Sequence, residues 1–199
     1  MNLVELAKSA VENYIKEGKI ISPPKNLAEE FLNRRAGTFV TINRQLITDN
    51  LPRRQAGKQQ LRGCIGTYLP IRKNIAEEII YNAIAAATED YRFGPILKKE
   101  LSSLSYVVYI LSEPELVKDI KELNPKRYGI IVKTIPITYP GGTDVIFNGH
   151  LVSKSGLLLP DLEGIDTIQE QISIACQKGG INPEKEKIII YRFSVEKYQ

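Results

Sequence analysis

Leu61-Arg62-Gly63-Cys64-Ile65-Gly66-Thr67-Tyr68 is the stretch from which the rest of the chain is read. It reads as a β-strand bounded downstream by Pro70. Side chains alternate across a strand, which predicts Leu61, Gly63, Ile65 and Thr67 on one face and Arg62, Cys64, Gly66 and Tyr68 on the other. Leu61 and Ile65 mark the first face as the one turned to the core. Arg62 and Cys64 then project together from the second, their Cα atoms roughly 6.6 Å apart. Gly63 and Gly66 carry no side chain and allow a backbone or a ligand to approach closely. The strand thus predicts a sheet and a candidate binding face at once.

Working outward, the segment before it is a strand candidate at residues 37–41 (GTFVT), followed by a polar, basic loop over 49–60 with Pro52 and Gly57 as breakers. Further upstream, Leu3, Leu6, Ala7, Ala10, Val11 and Tyr14 recur at helical spacing, with Asn2 as cap and Gly18 as stop. Pro23-Pro24 separates that helix from a short helical segment over 26–35. Downstream, residues 72–88 form a helix with a wide apolar face and a small-residue end (AIAAA) suited to close packing on a sheet. Residues 106–111 (YVVYIL), 128–133 (YGIIVK) and 187–193 (KIIIYRF) read as strands, the last being the final one. Residues 139–142 (YPGG) form a turn, and 144–152 a hairpin around Asn148-Gly149. Thr167 and Glu170 form a capping box opening a helix to Lys178, closed by Gly179-Gly180. Strands and helices alternate without a steady rhythm, which predicts an α+β fold with mixed or antiparallel sheets and flanking helices.

With 199 residues, 43% hydrophobic and 25% charged, the chain has the composition of one globular domain or two lobes. No stretch approaches the ~20 apolar residues that cross a bilayer, and residues 1–5 lack a signal-peptide pattern. Two cysteines far apart argue against a disulfide framework, so a reducing cytoplasm is the expected compartment. The net charge of +4 is matched by one window alone, in which Arg44, Arg53, Arg54, Lys58 and Arg62 stand against Asp49. A local basic surface beside the Cys64 strand is therefore expected.

Three motifs carry a family resemblance. Residues 61–66 (LRGCIG) resemble the hallmark motif of the AMMECR domain family, named after the human chromosomal region linked to Alport syndrome, midface hypoplasia and elliptocytosis. Residues 85–97 (AAATEDYRFGPIL) resemble the family's alanine-rich helix running into an Asp-x-Arg-Phe turn. Residues 155–162 (SGLLLPDL) with 166–171 (DTIQEQ) resemble its second signature. The likeness spans roughly Ala7 to Phe193. Tyr91 departs from it, standing where the family often has proline, and residues 134–150 look like an extended hairpin in place of a shorter link. The resemblance implies a single AMMECR-like domain over residues 1–199, built as two sub-lobes with a cleft near the hallmark motif and the Asp-x-Arg-Phe turn. The binding residues it implies are Arg62, Gly63, Cys64, Gly66, Asp90, Arg92 and Phe93. It also implies association with a Memo-like protein and a radical-SAM protein in a three-part system.

Several readings stand for these residues. Cys64 is either a nucleophile or redox thiol activated by Arg62, with Glu113 or His150 as proton carrier, or a small apolar filler. Cys176 shares a helix face with Ile168, Ile172 and Ala175 and is expected buried. Asp90 is expected to bond nearby amides and Phe93 to plug the core, and Arg92 either belongs to that helix-ending turn or faces an anion beside Arg62. Two distant cysteines and one histidine offer no metal-ligand spacing, and the glycines match no phosphate-binding fingerprint, so no metal or cofactor is expected. Residues 155–160 lack the glycine-flanked serine of a nucleophile elbow. The leading expectation is a ligand- or protein-binding accessory factor using the Arg62/Cys64 face for a protein or an anionic small molecule. The alternatives are an enzyme working through Cys64, and a single-stranded nucleic-acid binder using the basic loop over 44–62.

Overall fold

A computed structural model describes residues 1–45, 59–135 and 153–199, together with the backbone of 146–147 and 150–151. In chain order the elements are α1 (Leu3–Glu17), α2 (Glu29–Asn33), β1 (Thr38–Gln45), β2 (Gln59–Thr67), α3 (Ile75–Thr88), β3 (Leu104–Leu111), β4 (Glu115–Leu116), β5 (Gly129–Thr134), β6 (Ile146–Phe147), β7 (His150–Leu151), β8 (Ser155–Leu158), α4 (Ile168–Lys178), β9 (Ile188–Phe193) and β10 (Val195–Tyr198). Short 3₁₀ helices occupy Lys98–Ser103 and Ile120–Glu122. The chain divides into two compact units, Met1–Leu111 with Glu196–Gln199, and Ser112–Val195.

In the first unit a four-stranded sheet runs in the order β10-β3-β1-β2. Helices α1 and α3 pack on each other and on this sheet. The α1 boundaries follow local chemistry: Asn2 accepts from the Glu5 amide, Glu5 returns a bond to the Asn2 amide, and Gly18 closes the helix at φ 70°. Helix α3 begins at Ile75 under an Asn74 cap, three residues later than the apolar pattern predicts, because Asn74 accepts from the Glu77 amide. Helix α2 is likewise shorter than the 26–35 expectation, covering Glu29–Asn33. The inward face of the sheet presents Val40, Ile42, Tyr106, Val108 and Ile110, all buried against α1 and α3. Gly63 lets α3 come close: a Cβ there would lie 2.0 Å from the Ala86 carbonyl oxygen.

The second unit has a sheet in the order β4-β9-β5-β8 with α4 packed on β5 and β8. The capping box of α4 forms as read, Thr167 accepting from the Glu170 amide and Glu170 from the Thr167 amide. Its core holds Ile130, Val132, Leu158, Ala175, Cys176 and Ile190. The hairpin expected over 144–152 is present as β6 paired with β7, its Asn148-Gly149 turn lying outside the described residues, as do the 139–142 turn and the basic residues Arg53, Arg54 and Lys58.

Every register described is antiparallel, so the α+β architecture with antiparallel sheets and flanking helices stands. Residues 187–193 are not the last strand. After Ser194 the chain continues as β10, which lies beside β3 in the first sheet.

Candidate functional site

Strand β2 is the edge of its sheet, and its pairing with β1 is interrupted at one point. Ile42 lies opposite Gly63, but the next residue, Asn43, lies opposite Leu61. Arg62 is the extra residue of a β-bulge. A bulge reverses the alternation on its far side, which overturns one expectation: Leu61 does not anchor inward but is 37% exposed. Ile65, on the near side, does pack against the core.

The bulged Arg62 does not stand open beside Cys64. Its Nε and one terminal nitrogen donate to Glu100 at 2.9 and 3.1 Å, and its terminal nitrogens also donate to the carbonyls of Gly94 (2.8 Å) and Pro95 (3.1 Å). The pair is largely enclosed, with side-chain exposures of 13% and 15%. The Arg62 bonds hold the Glu100 carboxyl below its ordinary range. Glu100 also accepts from the Leu97 amide, so the pair ties the turn after α3 to the strand. Arg62 is in this way a clamp between the strand and the turn after α3.

A second ion pair sits one residue along the strand edge. Asp90, buried at the end of α3, accepts the Cys64 amide at 2.8 Å and holds Arg92 through both oxygens at 2.9 and 2.7 Å. Arg92 reaches on to the Cys64 carbonyl at 3.4 Å. Chiefly because of the Arg92 bonds, with the Cys64 and Arg92 amides adding to them, the Asp90 carboxyl is pulled down from 3.8 to about 2. The Arg92 guanidinium is pushed up in return, mainly by Asp90 and in smaller part by Cys64. Asp90 thus bonds nearby amides as expected. Arg92 faces its own neighbour Asp90. Phe93 is only half-buried under the Arg92 guanidinium, while Ile96 fills the core position.

Cys64 itself is half-buried on the sheet face opposite the helices. Cross-strand register places Thr41 beside it, and Thr41 Oγ1 donates to Cys64 Sγ at 3.2 Å. Phe39, Val107 and Tyr109 share the same face. Gly66 serves the sheet more than a ligand: a Cβ there would lie 2.2 Å from the Phe39 ring and 2.3 Å from the Thr38 carbonyl oxygen. The geometry therefore brings Cys64, Asp90 and Arg92 together with Thr41, a residue no sequence motif singled out. Glu113 belongs to the second unit, and the His150 side chain lies outside the described residues.

Two further polar groups escaped the sequence. Glu78, 1% exposed, accepts from Thr67 Oγ1 (2.6 Å) and from the amides of Ile71 and Arg72, while Asn82 donates to the Thr38 carbonyl and hydroxyl. Glu78 and Asn82, four apart on α3, share a helix face, and that spacing within an apolar run was the available signal. In the second unit Cys176 is buried as expected, its thiol pushed up by burial, at the floor of an open groove of about 650 Å³ that it lines with Ile172, Ser173, Gln177 and Ile181. Among the described residues, no cluster of three His, Cys, Asp or Glu side chains could hold a metal ion, and no helix is long and apolar enough to cross a membrane.

Comparison with known proteins fits this arrangement. A protein of Thermotoga maritima is 45% identical over 98% of this chain and 96% of its own length. A protein of Clostridium acetobutylicum is 36% identical over 98% of this chain, a match that makes up only 35% of that longer protein. The crystal structure of an uncharacterized protein from Pyrococcus horikoshii superposes with a TM-score of 0.75 at 33% identity, covering 98% of this chain and 88% of the other. The AMMECR1 family model matches residues 4–198. With the hallmark strand, the Asp-x-Arg-Phe turn and the fold all in place over nearly its whole length, the chain belongs to the AMMECR1 family.

Proposed function

We propose that this chain is an accessory protein that binds a partner on the sheet face around Cys64. One observation carries the reading. The four charged groups along the outer edge of the Cys64 strand are engaged in two bidentate ion pairs that fix its main chain and the turn after α3. What they build is a rigid surface around a thiol. Because both guanidinium groups already hold carboxylates, the arrangement favours a protein partner over a small anion. A Memo-like or a radical-SAM protein is the first candidate, and a cytoplasmic setting goes with it. Affinity capture from native cells tests the reading with three forms of the chain. Wild type and Cys64→Ser are expected to recover the same partner, and Cys64→Trp, which fills the face, to lose it. Recovery of no specific partner by wild type, or equal recovery by all three forms, refutes the proposal.

A second reading has its own observation. The Thr41 hydroxyl bond to Sγ and the nearby Arg92 cation both favour a thiolate, the nucleophilic form. On this reading Cys64 is a reactive thiol, and Cys64→Ser abolishes function while leaving the surface intact. Iodoacetamide labelling followed against pH decides it: the reading requires Cys64 to react faster than free cysteine below pH ~8. The nucleic-acid reading rests on Arg53, Arg54 and Lys58. Salt-insensitive binding to single strands, or binding unchanged when those three are neutralised, would exclude it.

A further inference from the structure

We infer that residues 68–72, immediately after β2, form a ready-made docking tip for a second protein with an apolar pocket rimmed by carboxylates. This surface is separate from the Cys64 face and does not depend on what that face binds. Leu69 and Ile71 are 53% and 66% exposed, and neither belongs to the core cluster of the unit. A loop carrying two outward aliphatic side chains would ordinarily be loose or turned inward. Here its main chain is held from two sides. The buried Glu78 carboxylate accepts the amides of Ile71 (3.0 Å) and Arg72 (2.8 Å). From outside, Arg35 donates to the carbonyls of Pro70 and Arg72, both at 3.1 Å. The Arg72 guanidinium stacks 3.6 Å over the Tyr81 ring.

Burying a carboxylate is unfavourable unless its oxygens are satisfied, and two of the bonds that satisfy Glu78 come from this loop. The fold therefore fixes the loop in the conformation that displays Leu69 and Ile71. A segment ordered before it binds loses less conformational freedom on association, which is the property of an anchor. The charges around it define the partner. Arg35 and Lys73 are exposed beside the tip, Arg72 is half-buried against Tyr81, and Glu77 is half-buried, so the exposed charge there is positive and the complementary rim is acidic.

A protein is favoured over a membrane on two grounds. Leu69 and Ile71 together offer fewer carbons than a myristoyl chain, which alone gives only marginal membrane binding. The C. acetobutylicum relative, in turn, carries the family region as 35% of a longer chain, joined to further protein.

A photocrosslinking amino acid, p-benzoylphenylalanine, placed at Ile71 in the full chain and irradiated in native cells tests this. The same probe at Lys8, on the exposed side of α1, is the control. The inference requires one protein crosslinked from position 71 and not from position 8, through a peptide containing aliphatic residues and Asp or Glu. That protein, purified, is then titrated with variants. Ile71→Asp or Leu69→Ser is expected to weaken binding about tenfold or more. Lys73→Glu should weaken it several-fold and reduce its salt dependence. Cys64→Ser should leave it unchanged, which separates this surface from the Cys64 face. Unchanged urea midpoints of the variants show that the fold is intact. Equal adducts from positions 71 and 8, adducts only to lipid or to a second copy of the chain, or an affinity indifferent to both Ile71→Asp and Leu69→Ser overturn the inference.

Discussion

Replacing Asp90 with Asn changes few atoms and alters the strand edge at its most connected point. The carboxylate accepts the Cys64 amide at 2.8 Å and both prongs of Arg92 at 2.9 and 2.7 Å. An amide in its place keeps one acceptor and turns a donor either towards the Cys64 N–H and one Arg92 terminal nitrogen or towards the Arg92 amide and Nε, leaving two donors unmet. The fall of the Asp90 carboxyl from 3.8 to about 2 gives one measure of the loss, at 1.36 kcal/mol per pKa unit. Because Arg92 is 41% exposed, solvent screening lowers that figure, and about 1–2 kcal/mol is the working value at neutral pH. The sign follows from the direction of the shift. A carboxyl depressed in the folded state stabilises fully above its unfolded value of 3.8, and the contribution fades as pH falls to about 2. Since the chain has two compact units, the measurement has to be local. Hydrogen exchange at the Cys64 amide serves: in Asp90→Asn it should speed up about five- to thirty-fold near pH 7. Urea titrations of both forms at pH 7, 5, 3 and 2 should converge towards the acid end. A Cys64 amide protected equally in both forms, or a stability difference that stays constant from pH 5 to 2, would refute the assignment.

The other expectations concern the same strand. Arg62→Lys keeps the charge but not the fork that grips Glu100, Gly94 and Pro95, and should destabilise the first unit by about 2 kcal/mol, with faster amide exchange at Leu97. Gly63→Ala sets a methyl against the Ala86 carbonyl and should be destabilising by about 3 kcal/mol or more, read from the urea midpoint and from loss of α3 protection. Leu61→Ser should change stability by less than about 0.5 kcal/mol, while Ile42→Ala, on the fully buried partner strand, should lower it by about 3 kcal/mol. Native-state labelling should modify the half-buried Cys64 well before Cys176, which is 2% exposed and should react only on unfolding.

What the sequence displayed and what it hid divide along the reach of the interaction. Helix ends were legible because caps are settled within three or four residues: Asn2 with Glu5 and Thr167 with Glu170 form as read. Asn74 with Glu77 carried the same signal and fixes the true start of α3, which an apolar count alone placed too early. The Asp90–Arg92 pair was within reach of the eye, being two residues apart. Leu61 was not, because a bulge is decided by how two strands meet, and nothing inside residues 61–68 records that Asn43 faces Leu61. The Arg62 ion pair is hidden for the same reason: its partner Glu100 lies 38 positions on. Strand β10 is too short for its alternation to stand out beside residues 187–193.

The two ion pairs and the bulge have a common cause in the position of β2. An edge strand exposes amides and carbonyls that would otherwise pair with another chain. Here the outward Cys64 amide is taken by Asp90, its carbonyl lies within reach of Arg92, and the bulged Arg62 binds the neighbouring turn. The thiol is therefore located by its own main chain, and its side chain contributes little to holding the strand. That separates structure from chemistry at this residue. Cys64→Ser should leave exchange protection at the Asp90-bonded amide unchanged and keep a Thr41 contact, with hydroxyl in place of sulfur. Any functional loss in that variant then reports the reactivity of sulfur. Full retention of partner binding in the same variant reports a surface in which the cysteine is one contact among several, and a Cys64 amide that loses protection would refute the premise of both.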